Sequence, residues 1–362
     1  TFLRSKGIHS FNFVNKDKKK DDLLGWASIV KEGTKEKEEE EDVPVSSSSS
    51  SSELCRSNVC CHWSLKYNQV AKKNGGDDAS FDKFHSFLRP GGNSKNGDRR
   101  SNVVDEVLLI SGSGEKGKKS LDSVDALERL QKYEESIIRT GSNSNSNSDD
   151  AISTIPNIAV AFNPFFPNEY DRTVEQDRLL KKLESGQVSK VYLQFGTDVV
   201  LLRQGLEWIA KVNRELLPNN NKNKKKKDLD ICGSIFLPTK KLIAQQKFRP
   251  WNGVFLNESF LSGEAGARSI VLAMIQLYHE HNVELLFEAP GIRTEKDCSV
   301  MESLLVEADW SNSNSRSKTI AGTDNRKDSA NSKSKTKPKS DTERTTNNNR
   351  FVVDDDDDDD DD

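Results

Sequence analysis

The chain has 362 residues, 33% hydrophobic and 31% charged, with 54 basic against 58 acidic side chains and a formal net charge of −4. That near-balance hides blocks of opposite sign and says little about partners, but a mean hydropathy of −0.75 excludes a chain folded from end to end. No apolar run approaches the roughly 20 residues of a membrane span, and setting the simple polar tracts aside leaves roughly 250 residues, the usual size of an eight-stranded α/β barrel.

Thr1 stands first where a Met would be, so the chain is expected to start inside a longer protein, with any targeting segment out of view. Ile8 to Val14 alternates as a strand does. Asp21 and Asp22 open a helical pattern through Leu23, Leu24, Trp26, Ile29 and Val30, with a stop at Gly33. Lys35 to Ser52 is acidic and then poly-serine, a composition that forms no core. Val59 to Leu65 restarts the fold as a strand, and Phe81, Phe84, Phe87 and Leu88 recur at helical spacing. Glu106 to Ile110 is a further strand, and Leu121 to Ile138 a helix with Leu127, Leu130, Ile137 and Ile138 on one stripe.

A Ser-Asn tract from Ser142 to Ser148 precedes the best-marked unit, Ile158 to Asp198. It holds the apolar run Ile158–Phe162, a proline-rich turn Asn163–Pro167, an amphipathic helix Arg172–Glu184 stopped at Gly186, and a second run Val191–Phe195. Leu201 to Leu217 is a helix containing Trp208 and stopped by Pro218; an Asn/Lys run then continues to Lys227. Asp230–Leu237 is a strand, Lys240–Gln246 a short helix, Gly253–Leu256 a faint strand, Ala265–His281 a long helix and Val283–Phe287 the last strand. Beyond Trp310 the chain is Ser/Asn/Lys/Thr and then an Asp run, expected to be disordered.

Strands alternating with helices imply parallel βαβ units with right-handed crossovers. Seven strand runs are read besides the faint one near Val254; with the faint one left out, a closed barrel of eight needs one more, expected ahead of Thr1. The expected fold is therefore α/β, a (β/α)8 TIM-type barrel over residues 1–310 that lacks its first strand. Polar low-complexity inserts fall near 34–53, 91–101, 140–150 and 218–228, and residues 311–362 form a polar and acidic tail.

Gly112-Ser113-Gly114-Glu115-Lys116-Gly117 fits a dinucleotide fingerprint, and Gly112 to Lys118 fits most of a P-loop, but Lys119 stands where Mg²⁺ needs Ser or Thr. The helical pattern also starts only near Ser120 or Leu121, too late for its N–H groups to face a phosphate on that loop. The run Lys222–Lys227 lacks interleaved aromatics and reads as a solvated loop, so no nucleic-acid partner is expected. Five cysteines, two of them adjacent at Cys60-Cys61, show no CxxC pairing and fit buried thiols in a reducing, cytoplasmic compartment, with no metal site.

A parallel barrel gathers its strand C-termini at one mouth. Here that mouth would hold His62, Ser64, Ser111, Ser113, Phe162, Phe166, Gln194, Asp198, Pro238 and Glu288. Aromatic walls with an amide, a histidine and a carboxylate suit a flat heterocyclic ligand better than phosphoryl transfer or metal hydrolysis.

The motifs CHWSLKY, DEVLLISGS, the V-A strand with its aromatic-Pro turn, D-x-x-L-L-K-K, the strand ending in Gln-Phe, GSIFLP and EAPG together resemble methylenetetrahydrofolate reductases. The resemblance spans roughly Ile8 to Pro290, interrupted by the inserts. It implies a flavin-dependent barrel in which FAD takes hydride from NAD(P)H and passes it to methylenetetrahydrofolate. It further implies a folate partner, no membrane, and an oligomeric state left open. By the same resemblance His62 contacts the flavin, Gly112 lies on the flavin-facing loop, Lys181 and Lys182 lie near the FAD phosphates, and Gln194 binds the folate pterin. Ser111 and Ser113 replace the Arg and Asp that flank that glycine in the family, and Phe162 and Phe166 replace a Tyr and a His of the strand-end turn. The family's glutamate acid would precede Thr1, with Glu288 as a substitute carboxylate at the mouth. The alternative is a reductase-like barrel that has lost catalysis and binds a ligand or partner.

Overall fold

The computed structural model describes residues 10–14, 22–39, 58–89, 104–111, 121–141, 155–216, 229–288 and 295–310. Strands β1 (Ser10–Val14), β2 (Asn58–Ser64), β3 (Glu106–Ile110), β4 (Asn157–Phe162), β5 (Val188–Leu193), β6 (Asp230–Phe236) and β7 (Glu284–Glu288) lie side by side in chain order. Every adjacent pair is parallel. Among the described residues no pairing joins β7 back to β1, so the sheet is a curled, open half-barrel.

Helices fill the connections, as parallel pairing requires. They are α1 (Leu23–Glu39), the single turn α2 (Leu65–Asn68), α3 (Gly76–Leu88), α4 (Ser123–Gly141), α5 (Glu169–Glu184), α6 (Val199–Leu216), α7 (Lys240–Phe248), α8 (Glu258–Ser262) and α9 (Glu264–Glu280). A further helix, α10 (Glu295–Glu307), follows β7.

The two faces of the sheet carry different residues, because successive side chains in a strand point to opposite sides. Val59, Cys61, Trp63, Val107, Leu109, Ile158, Val160, Val191 and Leu193 pack with the helices in the large core. The alternate positions Cys60, Leu108, Ala159, Tyr192 and Cys232 form a separate small cluster on the inner face. Helix α9 sits directly on β6: a Cβ at Gly233 would run into the Tyr278 ring, so the strand and helix meet only because this residue has no side chain.

Several boundaries differ from the sequence reading, three of them in ways that bear on the fold. Helix α1 does not stop at Gly33 but continues to Glu39, into the tract read as an insert. A single interior glycine costs only about 1 kcal/mol, and the Lys and Glu residues after it are good helix formers. Gly253–Leu256 is not a strand: Phe255 makes one isolated bridge to Gly196. Strand β5 starts at Val188, earlier than the apolar run suggested, because Val188 and Lys190 join the ladder, with Ser189 left unpaired at a register shift against β4. The Gly112–Gly117 loop, the Ser-Asn tract, the Lys222–Lys227 run and the tail beyond Trp310 lie outside the described residues.

Candidate functional site: the inner face and the strand C-termini

The inner face begins, at the N-terminal ends of the strands, with a buried polar cluster. Lys190 Nζ lies 2.5 Å from Glu284 Oε2 and 3.8 Å from Glu106 Oε2. Tyr192 donates its phenolic O–H to Glu106. Burial opposes the charge on Lys190, yet the bond to Glu284 and the charges of Glu106 and Glu284 outweigh it and hold the pKa above the ordinary lysine value. Burial also pushes the Cys60 thiol well up, helped by the Glu106 charge, and pushes Cys232 up to about 12. These thiols stay protonated at neutral pH, so neither is a thiolate nucleophile. Cys60, Cys61, Cys232 and Cys298 are free and buried, as the spacing led us to expect. Among the described residues, no group of three or more His, Cys, Asp or Glu could hold a metal ion.

One layer higher, towards the strand C-termini, the face opens. The His62 ring meets Tyr192 edge-on with centroids 6.4 Å apart. Ser234 donates its Oγ–H to Glu288 Oε1 at 2.5 Å. Gln194 directly follows β5 and its backbone N–H donates to Phe162 O at 2.8 Å, which extends the β4–β5 pairing by one step. Leu193 and Phe195 on either side of it belong to the helix-facing core, so alternation places the Gln194 side chain on the side of Tyr192. It is half-buried, and its amide has no hydrogen-bond partner among the described residues. Ala159 and Ala161 keep the neighbouring β4 surface low, leaving room above Tyr192.

The remaining expected residues do not gather there. Phe162 is 1% exposed and stacks on Trp208 of α6, with centroids 5.7 Å apart and planes 22° apart. It belongs to the helix-facing core rather than the mouth wall we expected. Lys182 is 5% exposed and its Nζ donates to Ala161 O at 3.2 Å. Burial pushes its pKa down while nearby Glu175 opposes the shift, so this lysine anchors α5 to β4 instead of meeting a phosphate at the mouth. Lys181, its neighbour, is exposed. Ser111 Oγ is committed to Ser123, bonding its Oγ at 2.7 Å and accepting its backbone N–H at 3.0 Å. Phe166 is half-buried against Phe255, with centroids 5.3 Å apart. Gly112 and Ser113 lie outside the described residues. Of the set expected to hold FAD, only His62 faces the open layer, so the described residues do not form a flavin cradle.

Beside this layer, the loops after β4, β5 and β6 enclose a cleft of about 360 Å³. Hydrogen bonds tie the three loops together: Asn163 Nδ2 to Gly253 O at 2.9 Å, Thr197 N to Phe255 O at 3.1 Å, and Asn257 Nδ2 to Thr197 O at 3.2 Å. Two features here escaped the sequence reading. The Glu106–Lys190–Tyr192 cluster had a signal, since charged residues at inward positions of otherwise apolar strands call for partners. The cleft had only part of one: Asp198 stood among the expected mouth residues, whereas Gln246 reads as an ordinary polar position of a short helix.

No family model matches the chain, and no curated protein matches it. A solved structure described as an uncharacterized protein from Clostridium thermocellum that binds two copies of 5-methyl-5,6,7,8-tetrahydrofolic acid is similar at 11% identity and a TM-score of 0.39. The match covers 84% of this chain and 97% of that one. Likeness at that level says nothing of what this chain binds.

Proposed function

We propose that the chain binds a flat heterocycle of the folate type over the C-terminal ends of its strands, as a reductase-like barrel whose flavin side is remodelled. The observation that carries this reading is Gln194. Its backbone is fixed by the bond to Phe162, and its amide stands on the inner face with no partner among the described residues. A primary amide supplies a donor and an acceptor side by side, the pairing that a pterin edge requires. Ser234–Glu288 and His62 stand on the same layer and supply a carboxylate and an imidazole around it. The sequence resemblance supports the ligand class through the strand ending in Gln-Phe.

The flavin-dependent reductase reading is the second one, favoured by His62 on the open layer. Visible spectroscopy and calorimetry separate the two. On the binding reading the purified chain is colourless, gains no bound colour with FAD, and takes up 5-methyltetrahydrofolate. Gln194→Ala should weaken that uptake roughly fivefold to tenfold, the loss of about 1–1.5 kcal/mol for one hydrogen-bonding group. A yellow protein bleached by NAD(P)H would establish the reductase instead. A chain that binds neither compound would overturn both.

A further inference from the structure

The cleft beside the mouth contains a donor and an acceptor with no partner among the described residues. Gln246 on α7 is 3% exposed and lines the cleft. Its Oε1 accepts the Trp251 backbone N–H at 3.2 Å. An N–H can be accepted only by the oxygen, which fixes the orientation of the amide. The Nε2 atom is thereby left buried with no hydrogen-bond partner among the described residues. A buried, unpaired amide N–H₂ is costly and calls for an explanation.

Asp198 lines the same cleft from the start of α6. Its Oδ1 caps the helix, accepting Val200 N–H at 2.9 Å and Leu201 N–H at 3.0 Å. Its Oδ2 has no partner among the described residues. The other polar groups of the lining are already used. Thr197 Oγ1 accepts Asn257 N–H, and the Asn257 side chain bonds both Thr197 O and Phe260 N–H. The rest of the wall is apolar, chiefly Phe165, Pro167, Leu201, Val254, Phe255 and Leu261.

From this we infer that the cleft is a second binding site, distinct from the inner face, for a small neutral aromatic or heteroaromatic amide. The ring lies on the apolar wall, the carbonyl accepts from Gln246 Nε2, and the amide N–H donates to Asp198 Oδ2. A carboxylate in place of the amide is excluded by the charge on Asp198 and by the loss of the donor. None of His62, Gln194, Ser234 or Glu288 lines the cleft, so the site stands whether or not the inner face takes a folate. Because Gln246 Nε2 is buried, an acceptor reaches it only when its surroundings give slightly, which keeps a fragment-sized ligand weak, about millimolar.

The test uses the full chain, benzamide as the probe and saturation-transfer NMR. Benzamide should bind at about millimolar concentration and benzoate should not compete. Gln246→Leu should remove the signal or weaken it at least tenfold. Asp198→Asn keeps an oxygen for the α6 N–H groups and turns the free acceptor into a donor. It should therefore weaken benzamide and admit benzoate, and because the position is exposed the variant tests the site even where Gln246→Leu fails to fold. Absence of benzamide binding by the wild type overturns the inference. So do benzamide binding by both variants as tight as that of the wild type, and loss of the signal with Gln194→Ala but not with Gln246→Leu.

Discussion

Lys190 sits with 9% of its side chain exposed between Glu284 and Glu106, and each partner contributes differently. Glu284 is largely exposed, so its short ion pair is screened, whereas Glu106 is as buried as the lysine and also takes the Tyr192 O–H. Removing the cation leaves Glu106 buried beside neutral groups alone, the Tyr192 O–H and the Cys60 thiol. Lys190→Met is therefore expected to destabilise the fold by about 3 kcal/mol in urea titrations at neutral pH. The pH dependence follows from the raised pKa. The folded state holds the Lys190 proton more tightly than the unfolded state, so the stabilisation is complete below the ordinary value of 10.5 and is lost as pH rises past it. Wild type should lose stability on that alkaline limb, and Lys190→Met should lose less, the remaining slope coming from the buried Cys60, Cys61 and Cys232 thiols, whose pKa values burial also raises. Equal alkaline slopes would show that the lysine gains nothing from its two glutamates.

Phe162 shows what sequence alone leaves open at the same scale. The run Ile158-Ala-Val-Ala-Phe162 is apolar throughout and gives no polar–apolar alternation, so its two faces look alike, and a strand-end aromatic reads naturally as part of the mouth. The usable signal was size: Ile158, Val160 and Phe162 fill the helix-facing core, while Ala159 and Ala161 turn inward. Gln194 was legible because the neighbouring Leu193 and Phe195 leave a polar residue only one side to occupy. Lys182 was not, since a pair of adjacent lysines on a helix does not show which one is covered.

Among the elements, the β6–α9 contact is one of the tightest the glycines reveal. Gly233 faces Tyr278, which is fully buried, and its O–H reaches Ser234 O at 3.5 Å. Gly233→Ala forces the helix off the strand, an overpacking cost of about 3 kcal/mol. In a Tyr278→Leu background the same substitution should cost much less, because the ring it strikes is gone. Thermal melting of the four proteins in this double-mutant cycle measures the coupling. Equal costs in both backgrounds would mean that the contact does not set the strand–helix distance. The order of these elements was legible, since apolar runs and caps fix where a strand or helix lies. Their ends were less so: α1 crosses Gly33, and the Gly253–Leu256 segment serves as a loop tied to Asn163 and Thr197 instead of a strand.

Across the whole sheet, burial falls off towards both edges. Each interior strand carries a fully buried run, among them Glu106–Leu109 in β3, Lys190–Leu193 in β5 and Cys232–Phe236 in β6. No residue of β1 or β7 is fully buried. Each edge strand pairs on one side only among the described residues, so its outer row of N–H and C=O groups has no ladder partner there. Local opening follows the density of buried apolar contacts, so stability should be graded across the sheet instead of uniform. Native-state hydrogen exchange should find slow amides in the interior strands β2 to β6 and the fastest in β1 and β7. A ligand held by Gln194 and the Ser234–Glu288 pair bridges β5, β6 and β7, and should slow exchange in β7 more than in β1. Equal protection of β1 and β4 in the free protein would mean that another segment covers the β1 edge and closes the barrel there.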